Sequence, residues 1–166
     1  MKLPQPQKAG GFSLLRYIWE GIIVMKHTIE LDGAAVTFES SENDAETVGR
    51  IAADLIGMRG FVNLDAEDIA DVLGGARVIA VGEGTASGED KVKAAALEAM
   101  RNTPGISGAK SIIAEVVSGF ETYLAELSDV AFTIEMNCGE TVNIVWGHVL
   151  DGDMDDSVRV NIIAIA

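Results

Sequence analysis

The stretch from Arg77 to Arg101 constrains the fold more than any other part of the sequence. Arg77-Val78-Ile79-Ala80-Val81 is a short apolar run of the kind that forms a buried strand. Gly82 to Gly88 follows as a turn, with Ser87 placed to cap a helix from Glu89 to Arg101. The inner face of that helix is Val92, Ala95, Ala96, Ala99 and Met100. So many alanines at helical spacing require a helix backbone lying close against a sheet.

The same alternation continues downstream. Asn102 to Gly108 is a loop containing Pro104, and Ala109–Val117 is a second strand. Phe120, Leu124, Leu127, Ala131 and Ile134 mark a long helix, with stop signals at Asn137 and Gly139. Val142–Leu150 and Val158–Ile165 are two final strands joined by an acidic loop. The order strand, helix, strand, helix, strand, strand predicts an α+β two-layer sandwich, a four-stranded mixed sheet with helices on one face.

Upstream, His27–Leu31 and Ala34–Phe38 alternate around Asp32-Gly33, a dipeptide suited to a type I′ turn, so residues 27–41 read as a β-hairpin. Ser40 to Asp44 supplies N-cap candidates and acidic first-turn residues for a helix carrying Ala45, Val48, Ile51, Ala52, Leu55 and Met58. Arg59-Gly60 ends it, with Gly60 read as a left-handed cap. Asn63 or Asp65 then caps a short helix to Leu73, which Gly74-Gly75 stops.

Residues 1–26 stand apart. Lys2 to Gly11, with Pro4 and Pro6, reads as a mobile arm. From Phe12 to Val24, the residues Leu14, Leu15, Ile18, Trp19, Ile22 and Ile23 fall on one face of an amphipathic helix. This stretch is too short to span a bilayer. Three readings stand for it: a helix packing on a partner, a segment ahead of a true start at Met25, or an interfacial membrane contact through residues 12–24.

At 166 residues and 48% hydrophobic, the chain suits one domain with a short arm. Its net charge is −14, and it is uneven. Residues 1–26 hold Lys2, Lys8, Arg16 and Lys26 against Glu20, so the remainder carries −17. An acidic body argues against a nucleic-acid partner, since phosphate contacts need a basic surface. The single Cys138 fits a reducing, cytoplasmic setting, and two histidines with one cysteine cannot build a typical structural zinc site.

Five blocks in order carry a family resemblance: Asn63-Leu64-Asp65-Ala66-Glu67-Asp68; Gly82-Glu83-Gly84-Thr85-Ala86-Ser87-Gly88-Glu89-Asp90; Ser107-Gly108-Ala109-Lys110; Ser118-Gly119-Phe120; and Leu150 through Val160. Together they span about residues 43–166, and they resemble FtsZ, the bacterial cell-division GTPase family of tubulin homologues. The resemblance implies that residues 42–166 are the end of the family's central helix, the loop after it and the C-terminal domain. The family's Gly-Gly-Gly-Thr-Gly-Thr-Gly phosphate loop has no counterpart in this sequence. The family's C-terminal tail, which docks membrane-tethering partners, is likewise outside the resemblance.

In the family, GTP is hydrolysed between subunits, one binding the nucleotide and the next inserting the Asn63–Asp68 loop. The resemblance therefore implies that Asp65 and Asp68 polarise the attacking water in trans. Asn63 would help position the loop, with Glu67 beside it as a binding residue. It also implies no cofactor on this chain alone, with GTP and Mg2+ only at a site shared with intact FtsZ or a separate GTPase-domain chain, at the division site or membrane surface. The family carries an aromatic where Ala66 stands, a departure that bears on the loop's contact. Read without the resemblance, Asn63 and Asp65 are helix caps. A self-associating scaffold without catalytic role and a degenerate fragment are the rival readings.

Other candidate motifs are weaker. Gly82, Gly84 and Gly88 do not follow dinucleotide-binding spacing, and no Lys-Ser/Thr pair follows them, so they read as structural. Asp151, Asp153, Asp155 and Asp156 resemble the start of a calcium loop, but Asp156 and Ile162 stand where Gly and Glu are needed. His148 lies in a strand pattern without a partner cluster and reads as structural. Cys138 has no neighbouring base and reads as a buried or loop cysteine.

Overall fold

The computed structural model describes residues 16–19 and 22–166. The chain forms β1 (Arg16–Trp19), β2 (Ile22–Leu31), β3 (Ala34–Ser41), α1 (Glu42–Gly57), α2 (Ala66–Leu73), β4 (Val78–Ser87), α3 (Lys91–Arg101), β5 (Ser111–Ser118), α4 (Leu124–Leu127), α5 (Asp129–Cys138), β6 (Asn143–Leu150) and β7 (Ser157–Ile165). Two sheets result, a three-stranded one in the order β1-β2-β3 and a four-stranded one in the order β4-β7-β5-β6.

The four-stranded mixed sheet is the one expected. β7 runs antiparallel to both β4 and β5, while β5 and β6 are parallel. β5 and β7 occupy the middle, and their near-continuous apolar runs fit strands buried on both faces. Alternate side chains divide between two cores. Ile112, Ala114, Val116, Val160 and Ile162 meet α3 and α5 through Val92, Ala95, Ala96, Ala99, Val130 and Ile134. Ile113, Ile163 and Ile165 point the other way, to Val48, Ile51 and Leu55 of α1, Ile69 and Leu73 of α2, and Leu31, Val36 and Phe38 of β2 and β3.

The close approach of α3 is real, and it explains the glycines before it. The segment Gly82–Ser87 is not a turn but the second half of β4. A Cβ at Gly84 would collide with the backbone of Ala95 and Ala99, and one at Gly82 with Ala99 and Thr103. The glycines are there so that a helix can lie on the strand. α3 also reaches over the sheet edge. Glu98 Oε2 accepts from the Thr85 N–H at 2.7 Å, and Asn102 Nδ2 donates to the Glu83 carbonyl at 2.8 Å.

Other local expectations divide. Asp32 and Gly33 have φ of 48° and 81°, as a type I′ hairpin turn requires, and Ser41 caps α1 by accepting from Asp44 N–H. The amphipathic helix expected over 12–24 is not formed by residues 16–19 and 22–24, which are strand. Tyr17, Ile18, Trp19, Ile22, Ile23 and Val24 are β-branched or aromatic, and pairing of β1 with β2 captures them. Residues 1–15, including the expected arm, and residues 20–21 lie outside the described residues.

Ser87 does not cap α3. The helix starts after Asp90, at φ 55°, and the Gly88 N–H is satisfied instead by Asp156 Oδ2 at 3.0 Å. The single long helix after β5 is broken at Ser128, whose Oγ donates to the Ala125 carbonyl and so competes with the helical ladder. Leu127 and Ile134 are buried, but Phe120 is 72% and Leu124 54% exposed, so the apolar stripe was overextended at its start.

Candidate functional site

The segment from Met58 to Asp65 links α1 to α2 and, with the first turn of α2, is built by two sets of contacts, one within itself and one to the sheet edge. Within it, Asn63 folds back on Gly60, with Nδ2 donating to the Gly60 carbonyl at 3.1 Å and Oδ1 accepting from the Gly60 N–H at 3.2 Å. Asp65 and Asp68 form a reciprocal capping box on α2. Asp65 Oδ1 accepts from Asp68 N–H at 2.9 Å, and Asp68 Oδ2 accepts from Asp65 N–H at 3.0 Å. Each carboxylate therefore uses one oxygen in the cap. Asn63, Asp65, Glu67 and Asp68 are all exposed, along one short rim of the molecule.

The second set ties this loop to β6. Leu150 N–H donates to the Arg59 carbonyl, and His148 N–H to the Val62 carbonyl, both at 2.8 Å, so residues 59–62 close the edge of the sheet. Gly60 is not the left-handed cap expected. The extended Met58 ends α1, and a side chain at Gly60 would run into the His148 carbonyl. Gly147 serves the same approach from the strand, where a Cβ would press on Leu55 and Leu64.

His148 is the centre of this junction and is buried. Its Nδ1 accepts from the Phe61 N–H at 3.0 Å, and its Nε2 lies 2.8 Å from Ser118 Oγ. The Phe61 ring stacks on the imidazole at 5.3 Å and 7°. Because a backbone N–H can only donate, Nδ1 carries no proton and the proton sits on Nε2, directed at Ser118. Burial lowers the imidazole pKa below its ordinary 6.5, which favours this neutral form.

A second buried polar group lies under α1. Glu115 on β5 is fully buried, and Asn161 Nδ2 donates to its Oε2 at 2.6 Å. Arg50 stands 3.7 Å from the same oxygen and 3.2 Å from Asp54. Burial raises the Glu115 pKa, against the Asn161 hydrogen bond and Arg50, which lower it.

The acidic loop after β6 is a docking strap for α3. Buried Lys91 donates to Asp156 Oδ1 at 2.9 Å, and this bond, with that from Gly88, holds the Asp156 carboxyl below its usual range. Among the described residues, no three His, Cys, Asp or Glu side chains gather as they would to hold a metal ion. Burial pushes the Cys138 thiol up, away from the thiolate. Among the described residues, no helix is long and apolar enough to cross a membrane.

Residues 75–166 match the C-terminal domain of the FtsZ family. The chain belongs to the FtsZ family. It is 30% identical over 116 residues to the cell division protein FtsZ of Coxiella burnetii, covering 67% of this chain and 30% of that protein. To the Pseudomonas aeruginosa protein of the same name it is 31% identical over 116 residues, covering 68% and 29%. The chain thus spans about 30% of the length of these relatives. In structure it is similar to an empty FtsZ dimer from M. jannaschii, with a TM-score of 0.66 and 22% identity over 75% of this chain and 37% of that one. A TubZ from Bacillus thuringiensis serovar israelensis, in GDP-form protofilaments, gives 0.53 and 12% over 74% and 33%. These structural likenesses establish the shared fold.

The structure brings Asn63, Asp65, Glu67 and Asp68 onto one exposed segment, and it gives Asn63, Asp65 and Asp68 the capping and turn roles available to them without any partner. Sequence reading missed His148, Ser118 and Gly60 as the supports of that segment. His148 contacts Phe61 across 87 residues and Ser118 across 30, so no local pattern marks it.

Proposed function

We propose that this FtsZ-family chain acts in cell division by docking its Asn63–Asp68 segment on the GTP site of an intact FtsZ subunit or a separate GTPase-domain chain. The observation that carries the reading is the exposed pair Asp65 and Asp68, each with one oxygen outside the capping box. A carboxylate so placed can orient a water for in-line attack on a γ-phosphate, and GTP, its phosphate cradle and Mg2+ belong to the partner's side. Docking then either stimulates hydrolysis in trans or caps a filament end.

The test is to mix the chain with intact FtsZ and follow GTP turnover, polymer mass and co-sedimentation. Asp65→Asn and Asp68→Asn keep an acceptor oxygen for the cap while removing the charge. Loss of stimulation with retained filament capping assigns the carboxylates to chemistry. No change in turnover or polymer mass, together with no co-sedimentation, overturns the reading.

One observation favours a second reading, a self-associating scaffold independent of division. Leu31, Val36 and Phe38 of β2 and β3 are buried in one core with α1, α2 and the sheet, which suits a module that stands alone. A stable homo-oligomer indifferent to FtsZ supports this reading over the first.

A further inference from the structure

We propose that His148 is the positioning residue of the docking segment. As a neutral imidazole it holds Phe61 against the end of the sheet and so steadies the Asn63–Asp68 rim, and protonation loosens the segment at Phe61. The functional half of this inference rests on the docking reading above, while the structural half stands alone.

The geometry leaves His148 one workable state. Phe61 N–H points at Nδ1, Nε2–H points at Ser118 Oγ, and Ser118 Oγ lies 3.3 Å from the Gly119 carbonyl to which it donates. The three groups form one directional chain running from the loop into the sheet. A second proton on the ring would have to sit on Nδ1, facing the Phe61 N–H, so that two donors meet with no acceptor between them. The stacked Phe61 ring moves with its backbone.

What is lost on release is limited. The Asn63–Gly60 bonds and the Asp65–Asp68 box are internal to the segment and survive, so α2 keeps its cap. The backbone bonds from His148 N–H to Val62 and from Leu150 N–H to Arg59 also remain, so the segment stays on the sheet edge and loses the Phe61 anchor between them. The ionisable groups on the adjoining segments are Arg59, Asp65, Glu67 and Asp68 beside Phe61, Glu121, Tyr123, Glu126 and Asp129 after β5, and Asp151, Asp153, Asp155 and Asp156 after β6. Burial, rather than any of these charges, is the cause of the lowered imidazole pKa. The switch therefore belongs to the pocket itself.

Two variants separate position from charge. In His148→Asn, the side-chain oxygen can accept from Phe61 N–H in place of Nδ1 and does not titrate. In His148→Leu there is no acceptor at any pH. Imidazole nitrogen NMR is expected to show the Nε2–H tautomer at neutral pH. The Phe61 amide is expected to shift with the His148 titration and to lose about fivefold of its protection from exchange, measured against the intrinsic rate at each pH, once the ring is protonated, the size expected for one lost hydrogen bond. His148→Asn should keep Phe61 protected across the range, and His148→Leu should leave it unprotected throughout.

The functional arm follows FtsZ turnover and co-sedimentation against pH, each normalised to FtsZ alone. The wild-type effect should fall as pH drops through the titration, and the His148→Asn effect should stay level. An Nδ1–H tautomer, or Phe61 protection from exchange indifferent to pH and to both substitutions, overturns the proposal. So does a wild-type FtsZ effect whose pH profile is unchanged in His148→Asn. If FtsZ responds to no form of the chain while the Phe61 amide still follows the imidazole, the docking reading falls and the latch stands.

Discussion

On one face of the four-stranded sheet, Ile112, Ala114, Val116, Val160 and Ile162 meet α3 and α5 in an apolar layer. On the other, Glu115 and Asn161 interrupt Ile113 and Ile163, and the cover is assembled from α1, α2 and the hairpin. The first face is closed by shape, because glycines on β4 and alanines on α3 let two backbones touch. The second carries a buried carboxylate whose Oε1 has no hydrogen-bond partner. Close packing needs no particular pH to hold, whereas a buried acid does. The contrast puts a close-packed apolar layer on one face and a buried acid on the other, and the segment after α1 leaves on the side of the acid.

The largest expected effect tests the first face. Gly84→Val puts a side chain into the backbone of Ala95 and Ala99 and should cost about 3 kcal/mol in urea unfolding. A loss below about 1 kcal/mol would show that α3 can lift away, removing the contrast.

Glu115→Gln probes the second face. Because the folded-state pKa is raised above 4.5, the folded protein keeps its proton longer than the unfolded chain. Stability contributed by this group is present at acid pH and is lost as pH rises above about 4.5 toward the folded value. The variant should lose that slope and gain about 1 kcal/mol at neutral pH. A destabilised variant would mean that Asn161 and Arg50 hold the ionised form, and the second face would be as well satisfied as the first.

His148 gives the opposite sign. Its lowered pKa makes the unfolded chain take the proton first, so stability is full above about 6.5 and is lost as pH falls below it. The acid-side loss should appear in the wild type and be missing from His148→Asn in thermal melts across pH. The smallest effect should come from Asp156→Asn. Its carboxyl is held low chiefly by Lys91, so the contribution exists above the ordinary 3.8 and fades as pH falls through the folded value. A slight drop in Tm at neutral pH, vanishing in strong acid, is the expected result.

What could be read in advance followed the range of the forces involved. Asp32-Gly33 fixes its own turn, Ser41 its own helix start, and the alanines of α3 announce a close neighbour without naming it. The glycines of β4 were misread as a turn because their cause is a helix on the far side of the strand, not their own φ. Ile18, Trp19, Ile22 and Ile23 fit a helical stripe and a strand equally well, and pairing between β1 and β2 decided between them. At the site, Asn63, Asp65 and Asp68 were visible as caps and as a family motif. His148 reads correctly as structural, but its role as their anchor does not show because both of its partners are distant in the chain.

The segment at residues 59–62 has one further consequence. It is also the cover over the outer strand, occupying the N–H groups of His148 and Leu150 that would otherwise face solvent. At the opposite margin, Glu98 and Asn102 occupy Thr85 and Glu83. A strand margin left bare is a template onto which another chain can add and aggregate. Detaching residues 59–62 would therefore uncover β6, so the contact that holds the Asn63–Asp68 segment in place also covers a margin onto which a second sheet could add.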